Sequence, residues 1–485
     1  MNKNNNNSVL SGFLWRFLER CGAQGVSLIV SIVLARLLDP SVYGTIALVT
    51  VFTVIMQVFV DSGMGNALIQ KKNADDLDFS SVFWFNMFMC SILYLLMFVC
   101  APFIAIFYHK PELTAVVRVL SFILIIAGIK NVQQAYVSRN MLFKRFFFAT
   151  LGGTIGAAVV GITMAYLGYG VWALVAQMLF NAAVDTTILW ITVKWRPKRQ
   201  FSLQRLRGLF SFGWKLLVSS LIDTVYNQMR QLIIGRMYSS TDLAQYNQGK
   251  KFPELIVTNI NTSIDSVLLP TMSKAQDDTN VVKNMTRRAI KTSTYIMMPF
   301  MIGLAVSAEP LVSLILTDKW LPCVPFLRIF CFSFAFYPIH TANLNAMKAM
   351  GRSDLFLKLE IIKKIIGLIA ILSTMWISVM TMAYSLLVTS VLSQIINSWP
   401  NKRLMNYSYF DQLKDLMPQL FLSLAIGAVV FSIQFIKLNA GVTLLIQIPL
   451  GGILYICGSK LFHIDSFEYL INTVKTLFHR QKKEI

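Results

Sequence analysis

Polar side chains recur at helical spacing inside an apolar stretch near the start of the sequence. Residues 12–38 are mostly apolar and long enough to cross a bilayer core, which takes about 20 helical residues. On such a helix one narrow face carries a polar stripe, with Glu19 beside it: Arg16, Arg20, Gln24, Ser27 and Ser31. Because a charge at the bilayer centre costs at least about 2.5 kcal/mol, this face must meet water or another polar helix. This face either lines a polar path or joins helices through an Arg–Glu pair. Alternatively, the charges reach the membrane surface near a helix end.

A second stripe of the same kind lies in the second half of the chain. Alignment of Trp15 with Trp214 pairs the polar residues of the two stretches. The pairs are Arg16 with Lys215, Arg20 with Ser219, Gln24 with Asp223, Ser27 with Tyr226, and Ser31 with Arg230. We therefore predict two parallel half-molecules around a cavity in the membrane, an architecture typical of transporters.

Basic residues dominate the predicted cavity. The expected substrate-binding residues are Arg16, Arg20, Gln24, Lys215, Arg230, Lys250 and Lys251. Glu19 and Asp223 are candidates for a coupling group or a salt bridge. Bases in a low-dielectric wall attract anions, and phosphate groups suit arginine and lysine. A lipid-borne pyrophosphate fits this cavity, whereas a cationic drug does not.

These stripes belong to a chain that is apolar throughout. Its 485 residues are 55% hydrophobic and 14% charged, against about 25% charged in soluble proteins. We predict an all-α integral membrane protein with about fourteen transmembrane helices. The predicted spans are 10–37, 43–64, 81–107, 114–137, 147–167, 171–193, 212–236, 243–271, 292–316, 323–347, 359–377, 380–399, 416–436 and 441–462.

The distribution of bases predicts the orientation. The links between predicted spans alternate between the two sides of the membrane. Of the 44 lysines and arginines, 29 lie in the links on the side that carries both termini, and 5 lie in the links of the opposite set. This asymmetry predicts cytoplasmic N- and C-termini and an even number of spans. The net charge of +21 therefore reflects topology, and nucleic acid is not an expected partner. The links of the opposite set are very short, so any chemistry must occur within the membrane.

Catalytic and metal-binding motifs are not apparent in the sequence. The six cysteines lie singly in apolar runs, and the four histidines form no ligand spacing. We expect neither a cofactor nor a metal, and no enzymatic activity. His340 is expected to be a packed residue. Acidic candidates for binding a coupling proton or sodium ion are Asp185, Asp223, Asp265 and Glu309.

Two runs carry a resemblance to a known family. The first is LARLLDPSVYGTIALVTVFTVIMQVFVDSGMGNALIQKK at 34–72, with its Ala-Arg, Tyr-Gly and Asp-Ser-Gly elements. The second is GRMYSSTDLAQYNQGKKFPELI at 235–256, followed by LLPTMSKAQDD at 268–278. Both resemble Wzx-type polysaccharide flippases of the multidrug/oligosaccharidyl-lipid/polysaccharide exporter superfamily, most closely the colanic-acid and teichuronic-acid exporters.

The resemblance implies a MATE-like fold with two pseudo-symmetric six-helix lobes and two C-terminal helices. The expected segments are a disordered tail 1–9, lobes 10–193 and 212–403, a basic linker 194–211, helices within 404–463 and a cytoplasmic tail 464–485. The implied function is to move an undecaprenyl-pyrophosphate-linked repeat unit across the bacterial inner membrane by alternating access. Expected partners are that lipid-linked oligosaccharide, membrane lipids, and polymerase or chain-length components of the same export system. Alternatives are a MATE-type drug or cation antiporter and a membrane-embedded polysaccharide polymerase, although such enzymes usually hold a large outside loop.

Overall fold

The computed structural model describes residues 22–61, 64–71, 73–140 and 142–484. Within these ranges the chain is almost entirely helical and has no strand. The chain divides into two compact units, Met1–Ala244 and Gln245–Ile485, which are taken in turn below. The predicted all-α membrane fold is confirmed.

The first unit is built from nine described helices and the start of a tenth. They are α1 (Gly22–Leu37), α2 (Pro40–Val60), α3 (Met64–Gln70), α4 (Asp76–Phe107), α5 (Leu113–Leu120), α6 (Ile123–Arg139), α7 (Phe143–Tyr166), α8 (Val171–Thr192), α9 (Leu203–Met237) and α10 (Ser240–Lys274). Short α5 and α6 follow each other directly and together make one membrane-length segment, Leu113–Arg139.

The second unit holds most of α10 and repeats the same order of elements. Its helices are α11 (Thr279–Val306), α12 (Ala308–Leu316), α13 (Val324–Ala335), α14 (Tyr337–Ala349), α15 (Ser353–Thr374), α16 (Val379–Met405), α17 (Tyr409–Ser432), α18 (Ala440–Leu461) and α19 (Asp465–Glu484). Here α13 and α14 form the broken segment. As in the first unit, a long helix precedes the break and two long helices follow it.

Ten helical segments of the described chain are long and apolar enough to cross a membrane. Each of the fourteen predicted spans coincides with helix over most of its described residues; residues 10–21 of the first span and 62–63 of the second lie outside the described residues. The span count of fourteen is compatible with the structure. The segment limits expected at 194–211 and 404–463 remain predictions.

Burial explains why these helices need a bilayer. Along α4, one side carries large apolar side chains that are more than half exposed, such as Phe88, Phe103 and Ile106. Such a surface is unfavourable in water and suits lipid. The other side of α4 packs inward through Phe79 and Phe83, in a buried cluster shared with α3, α6, α8 and α9. This cluster fixes the N-terminal part of α9.

Candidate functional site

The stripe on α1 is visible from Gln24 onward. Gln24 and Ser27 are exposed, and Ser31 is half-buried, with its carbonyl accepting a hydrogen bond from Tyr43 Oη at 3.4 Å. Leu34, farther along the helix, is buried. Three predicted site residues lie outside the described residues: Arg16, Glu19 and Arg20.

The stripe on α9 passes from exposed to buried along the helix. Asp223 is exposed, Tyr226 is half-buried, and Arg230 is only 8% exposed. Lys215 lies near the start of the same 35-residue helix, and its side chain is outside the description. The predicted spacing therefore carries a base to the buried C-terminal part of α9.

Close backbone approaches hold that end of α9 in place. A Cβ on Gly235 would lie 2.2 Å from Leu48 Cδ2, and a Cβ on Gly44 would lie 1.7 Å from the Ser240 carbonyl oxygen. Lys110 Nζ donates a 2.9 Å hydrogen bond to Ser240 Oγ. These five residues, here called the α9–α10 clamp, join the turn after α9 to α2 and to the α4–α5 turn. Only glycine fits at two of the positions.

The remaining predicted bases lie on α10, in the second unit. Lys250 forms an ion pair with Glu254 at 2.9 Å, one turn farther along, and Lys251 is half-buried. Gly249 lets α10 approach α13, because a Cβ there would lie 2.8 Å from the Cys323 carbonyl oxygen. Arg230 and this pair of lysines thus fall in different units.

The polar face of α10 extends well beyond the two predicted lysines. Asp265 lies on it and accepts a 2.6 Å hydrogen bond from Asn345 of α14. The signal was present in the sequence as polar residues that share one side of a helix: Lys251, Glu254, Thr258, Asn261, Thr262 and Asp265. Of these residues, only Lys251 and Asp265 were predicted as candidates from the sequence.

A buried ion pair in the first unit was also missed. Lys130 of α6 and Asp185 of α8 bond to each other, and Asp185 is 8% exposed. The neighbouring Asn131 donates to the Asp61 carboxylate at 3.3 Å. We call Lys130 and Asp185 the intramembrane pair. Asp185 was predicted as an acidic candidate. Its pairing with Lys130, 55 positions away, could not be predicted because no local pattern connects the two residues.

The second unit contains a buried network without charge. Asn343 of α14 donates to Gln412 at 2.8 Å and accepts from Asn401 at 2.6 Å, while Ser398 donates to Gln412 at 3.0 Å. All four side chains are fully buried, and we call them the amide network. One turn away, His340 Nδ1 lies 2.9 Å from Asn397 Nδ2, so His340 is a packed, partnered residue.

Ionic contacts in the links outside the apolar layer fix the helix ends. Asp75 caps α4 by accepting a 2.9 Å bond from the Asp78 backbone N–H, which lowers the pKa of the Asp75 carboxyl. Asp78 in turn pairs with Lys71 at 2.6 Å and with Arg205 of α9 at 3.6 Å. The start of α9 is therefore tied to α3 and α4 through one buried carboxylate.

Known proteins with similar sequences are named for the biosynthesis of teichuronic acid and of lipopolysaccharide. The chain is 25% identical to the teichuronic acid biosynthesis protein TuaB of Bacillus subtilis over 417 residues, which cover 83% of this chain and 85% of that one. It is 24% identical to the lipopolysaccharide biosynthesis protein WzxC of Escherichia coli over 416 residues, 84% of this chain and 82% of that one.

Solved structures show the same fold. The lipid II flippase MurJ, in an inward closed conformation, superposes with a TM-score of 0.76 at 16% identity, covering 93% of this chain and 99% of that chain. An inward-facing MATE family transporter of the MOP superfamily gives 0.60 at 14% identity, covering 79% and 96%. A family model described as polysaccharide biosynthesis protein matches residues 33–325. Since this match spans more than half of the sequence, the chain belongs to the polysaccharide biosynthesis protein family.

Proposed function

We propose that this protein is a flippase that carries a lipid-linked oligosaccharide, the repeat unit of a surface polysaccharide, across the bacterial inner membrane. Family membership and the WzxC and TuaB relatives support a role in polysaccharide export. The proposed carrier lipid is undecaprenyl pyrophosphate, whose charge suits a basic cavity. The termini are proposed to lie in the cytoplasm, because most bases occupy the links on that side.

One observation carries this proposal: Arg230 is a base only 8% exposed, at the buried end of the polar stripe on α9. Bases inside a membrane face the protein interior or a water-filled cavity, and Arg230 fits that pattern. It continues a polar stripe whose other members, from Asp223 back toward Lys215, lie nearer the proposed cytoplasmic end. We propose that Arg16, Arg20, Gln24, Lys215, Arg230, Lys250 and Lys251 bind the pyrophosphate, and that Glu19 and Asp223 serve as coupling or salt-bridge groups.

Transport is proposed to proceed by alternating access. The substrate would enter from the cytoplasmic leaflet, where exposed stripe residues on α9 are accessible. The α9–α10 clamp would close the opposite end through Gly44, Lys110, Gly235 and Ser240, and would have to separate before release. The clamp is held by close packing at two glycines and by the Lys110–Ser240 hydrogen bond, so it can part with the loss of few polar contacts.

A drug or cation antiporter is the second candidate, because the MATE family transporter shares the fold. Such a protein would need an acidic cavity to hold cations. The stripes carry more bases than acids, so the anionic substrate is favoured. A membrane-embedded polymerase is a weaker alternative. Polymerase and chain-length components of the same system are proposed as partners rather than as activities of this chain.

The decisive experiment places alanine at the stripe bases in a strain that lacks the chromosomal copy. Arg16→Ala, Arg20→Ala, Lys215→Ala and Arg230→Ala should each block polysaccharide export while the protein remains in the membrane. Single lipid-linked repeat units should then accumulate in the inner leaflet, measured by their protection from a membrane-impermeant glycan label. Arg236→Ala is the matched control, since Arg236 lies on α9 off the stripe and contacts His109 at 2.8 Å.

Three results would redirect the assignment. Normal export by all four alanine variants would remove the stripe as the binding site. Single units already exposed on the outer leaflet would indicate a polymerase. Unchanged export together with greater drug susceptibility of the deletion strain would favour the antiporter.

A further inference from the structure

The last helix begins where the chain leaves the apolar layer. α18 is a membrane-length apolar helix that ends at Leu461. In the turn that follows, His463 has a left-handed φ of 47°, and the Ile464 N–H bonds back to the Ser459 carbonyl at 3.0 Å. This turn ends α18, and α19 starts at Asp465.

The first turns of α19 are fixed to the membrane-spanning body. Asp465 forms an ion pair with Lys291 of α11 at 3.0 Å. Phe467 and Leu470 pack against a buried cluster contributed by α11, α17 and α18. These contacts hold the start of α19 at the end of the spans.

The apolar face of α19 continues well past these anchors. Twenty helical residues extend about 30 Å, and the anchors named above occupy only the first two turns. Ile471, just beyond them, is 36% exposed. The sequence then places further apolar residues on the same face at helical spacing: Val474, Leu477 and Phe478. This face needs an apolar cover.

The opposite face of α19 is basic. Arg480 and Lys483 lie on it, with Lys475 and Lys482 at its edge, and the only acid after Glu468 is Glu484. A helix with one apolar face and one lysine- and arginine-rich face is typical of segments that lie in a membrane interface. The basic charge also disfavours a second copy of the same face as the cover, because like charges repel.

We propose that α19 lies in the plane of the membrane surface, with its apolar face embedded beside α18 and its bases bound to anionic phospholipid headgroups. Two features single out lipid as the occupant. The helix emerges directly from a bilayer-spanning helix, and its charge is complementary to an anionic leaflet. This inference is independent of what the protein transports.

The test uses the full chain in nanodiscs, with the six native cysteines replaced by alanine. An environment-sensitive fluorophore is attached at Val474→Cys, on the apolar face, or at Thr476→Cys, on the polar face. The nanodiscs contain phosphatidylcholine alone or an equal mixture with phosphatidylglycerol, and both carry a nitroxide lipid as quencher. We expect strong quenching at position 474 in the anionic mixture, weaker quenching in phosphatidylcholine, and little at position 476.

Charge reversal on α19 separates the role of the bases from that of the apolar face. Lys475→Glu/Arg480→Glu/Lys483→Glu should abolish the extra quenching that phosphatidylglycerol produces. Reversal of three exposed bases elsewhere in the predicted cytoplasmic links, Lys402→Glu/Arg403→Glu/Lys414→Glu, should leave it intact. Size-exclusion chromatography confirms that each variant is folded and reports its mass.

Several outcomes would overturn the proposal. Equal, weak quenching at both positions would mean that α19 lies in water. If quenching at position 474 changed neither with phosphatidylglycerol nor with the charge reversal, anionic headgroups would be excluded as the ligand. A blue-shifted emission at position 474 without nitroxide quenching, accompanied by a doubled mass, would make a second copy of the chain the cover.

Discussion

The intramembrane pair of the first unit and the amide network of the second hold equivalent places but use different chemistry. Each links the second half of a broken segment, α6 or α14, to the last long helix of the repeated order, α8 or α16. In the first unit the link is an ion pair, Lys130 with Asp185. In the second it is neutral, centred on Asn343, with His340 and Asn397 beside it.

Although the helices follow the same order in both units, the two polar sites should respond differently to substitution. A buried ion pair stabilises little overall, because desolvation offsets the attraction, yet removal of one partner leaves a stranded charge. An amide network loses only individual hydrogen bonds when one member is removed. The first unit therefore depends on two residues together, whereas the second spreads its polar contacts over several helices.

The largest expected effect comes from breaking the intramembrane pair. Lys130→Met leaves the Asp185 carboxylate unpaired at 8% exposure, and should lower the free energy of unfolding by about 3–5 kcal/mol. Asp185→Leu should cost a similar amount by stranding the lysine. The measurement is a denaturant titration in detergent micelles, followed by tryptophan fluorescence.

The double variant Lys130→Met/Asp185→Leu tests whether the cost is that of a stranded charge. It should be clearly more stable than either single variant, because no unpaired charge remains. Lys198→Met provides the matched control in the same unit, since Lys198 pairs with Asp76 with both side chains about half exposed, and it should cost less than about 1 kcal/mol. A double variant as unstable as the sum of the single ones would contradict this account.

Disruption of the amide network should be the next largest effect. Asn343→Leu removes a donor to Gln412 and an acceptor for Asn401, leaving buried polar groups without partners. The expected loss is about 1–3 kcal/mol, measured in the same titration. Asn259→Leu, at an exposed position on α10, is the control and should change stability little.

Replacing three members of the amide network together tests whether they act as a unit. Asn343→Leu/Asn401→Leu/Gln412→Leu removes the network as a whole and should recover part of the loss, because fewer polar groups stay unsatisfied. If the triple variant lost three times as much as Asn343→Leu alone, the side chains would be contributing independently rather than as a network.

The sequence predicted the helices better than the contacts between them. Apolar length and the placement of bases identified the spans, since those signals are local along the chain. The stripe on α9 followed from spacing, and Arg230 proved to be buried. The pairing of Lys130 with Asp185 could not be foreseen, because nothing local links a base to an acid two helices away. Arg16 and Arg20 remain predictions, outside the described residues.

The smallest expected effect concerns how the two units begin a helix outside the apolar layer. Asp75 caps α4 in the first unit, and Ser408 caps α17 in the second, each accepting from a backbone N–H three residues on. Asp75→Ala should cost about 1 kcal/mol at neutral pH.

The folded-state pKa of the Asp75 carboxyl is lowered, so its negative charge stabilises the folded state above the unfolded-state pKa. This stabilisation is lost as the pH falls through the folded-state pKa. The gap between the wild-type protein and Asp75→Ala should therefore narrow in acid. The cost of Ser408→Ala should narrow as well, because the Ser408 hydroxyl donates to the Asp411 carboxylate at 2.6 Å and lowers the pKa of that carboxyl. Unfolding titrations at neutral and strongly acidic pH measure both gaps, and a gap for Asp75→Ala that stayed constant with pH would show that the cap does not depend on the carboxylate charge.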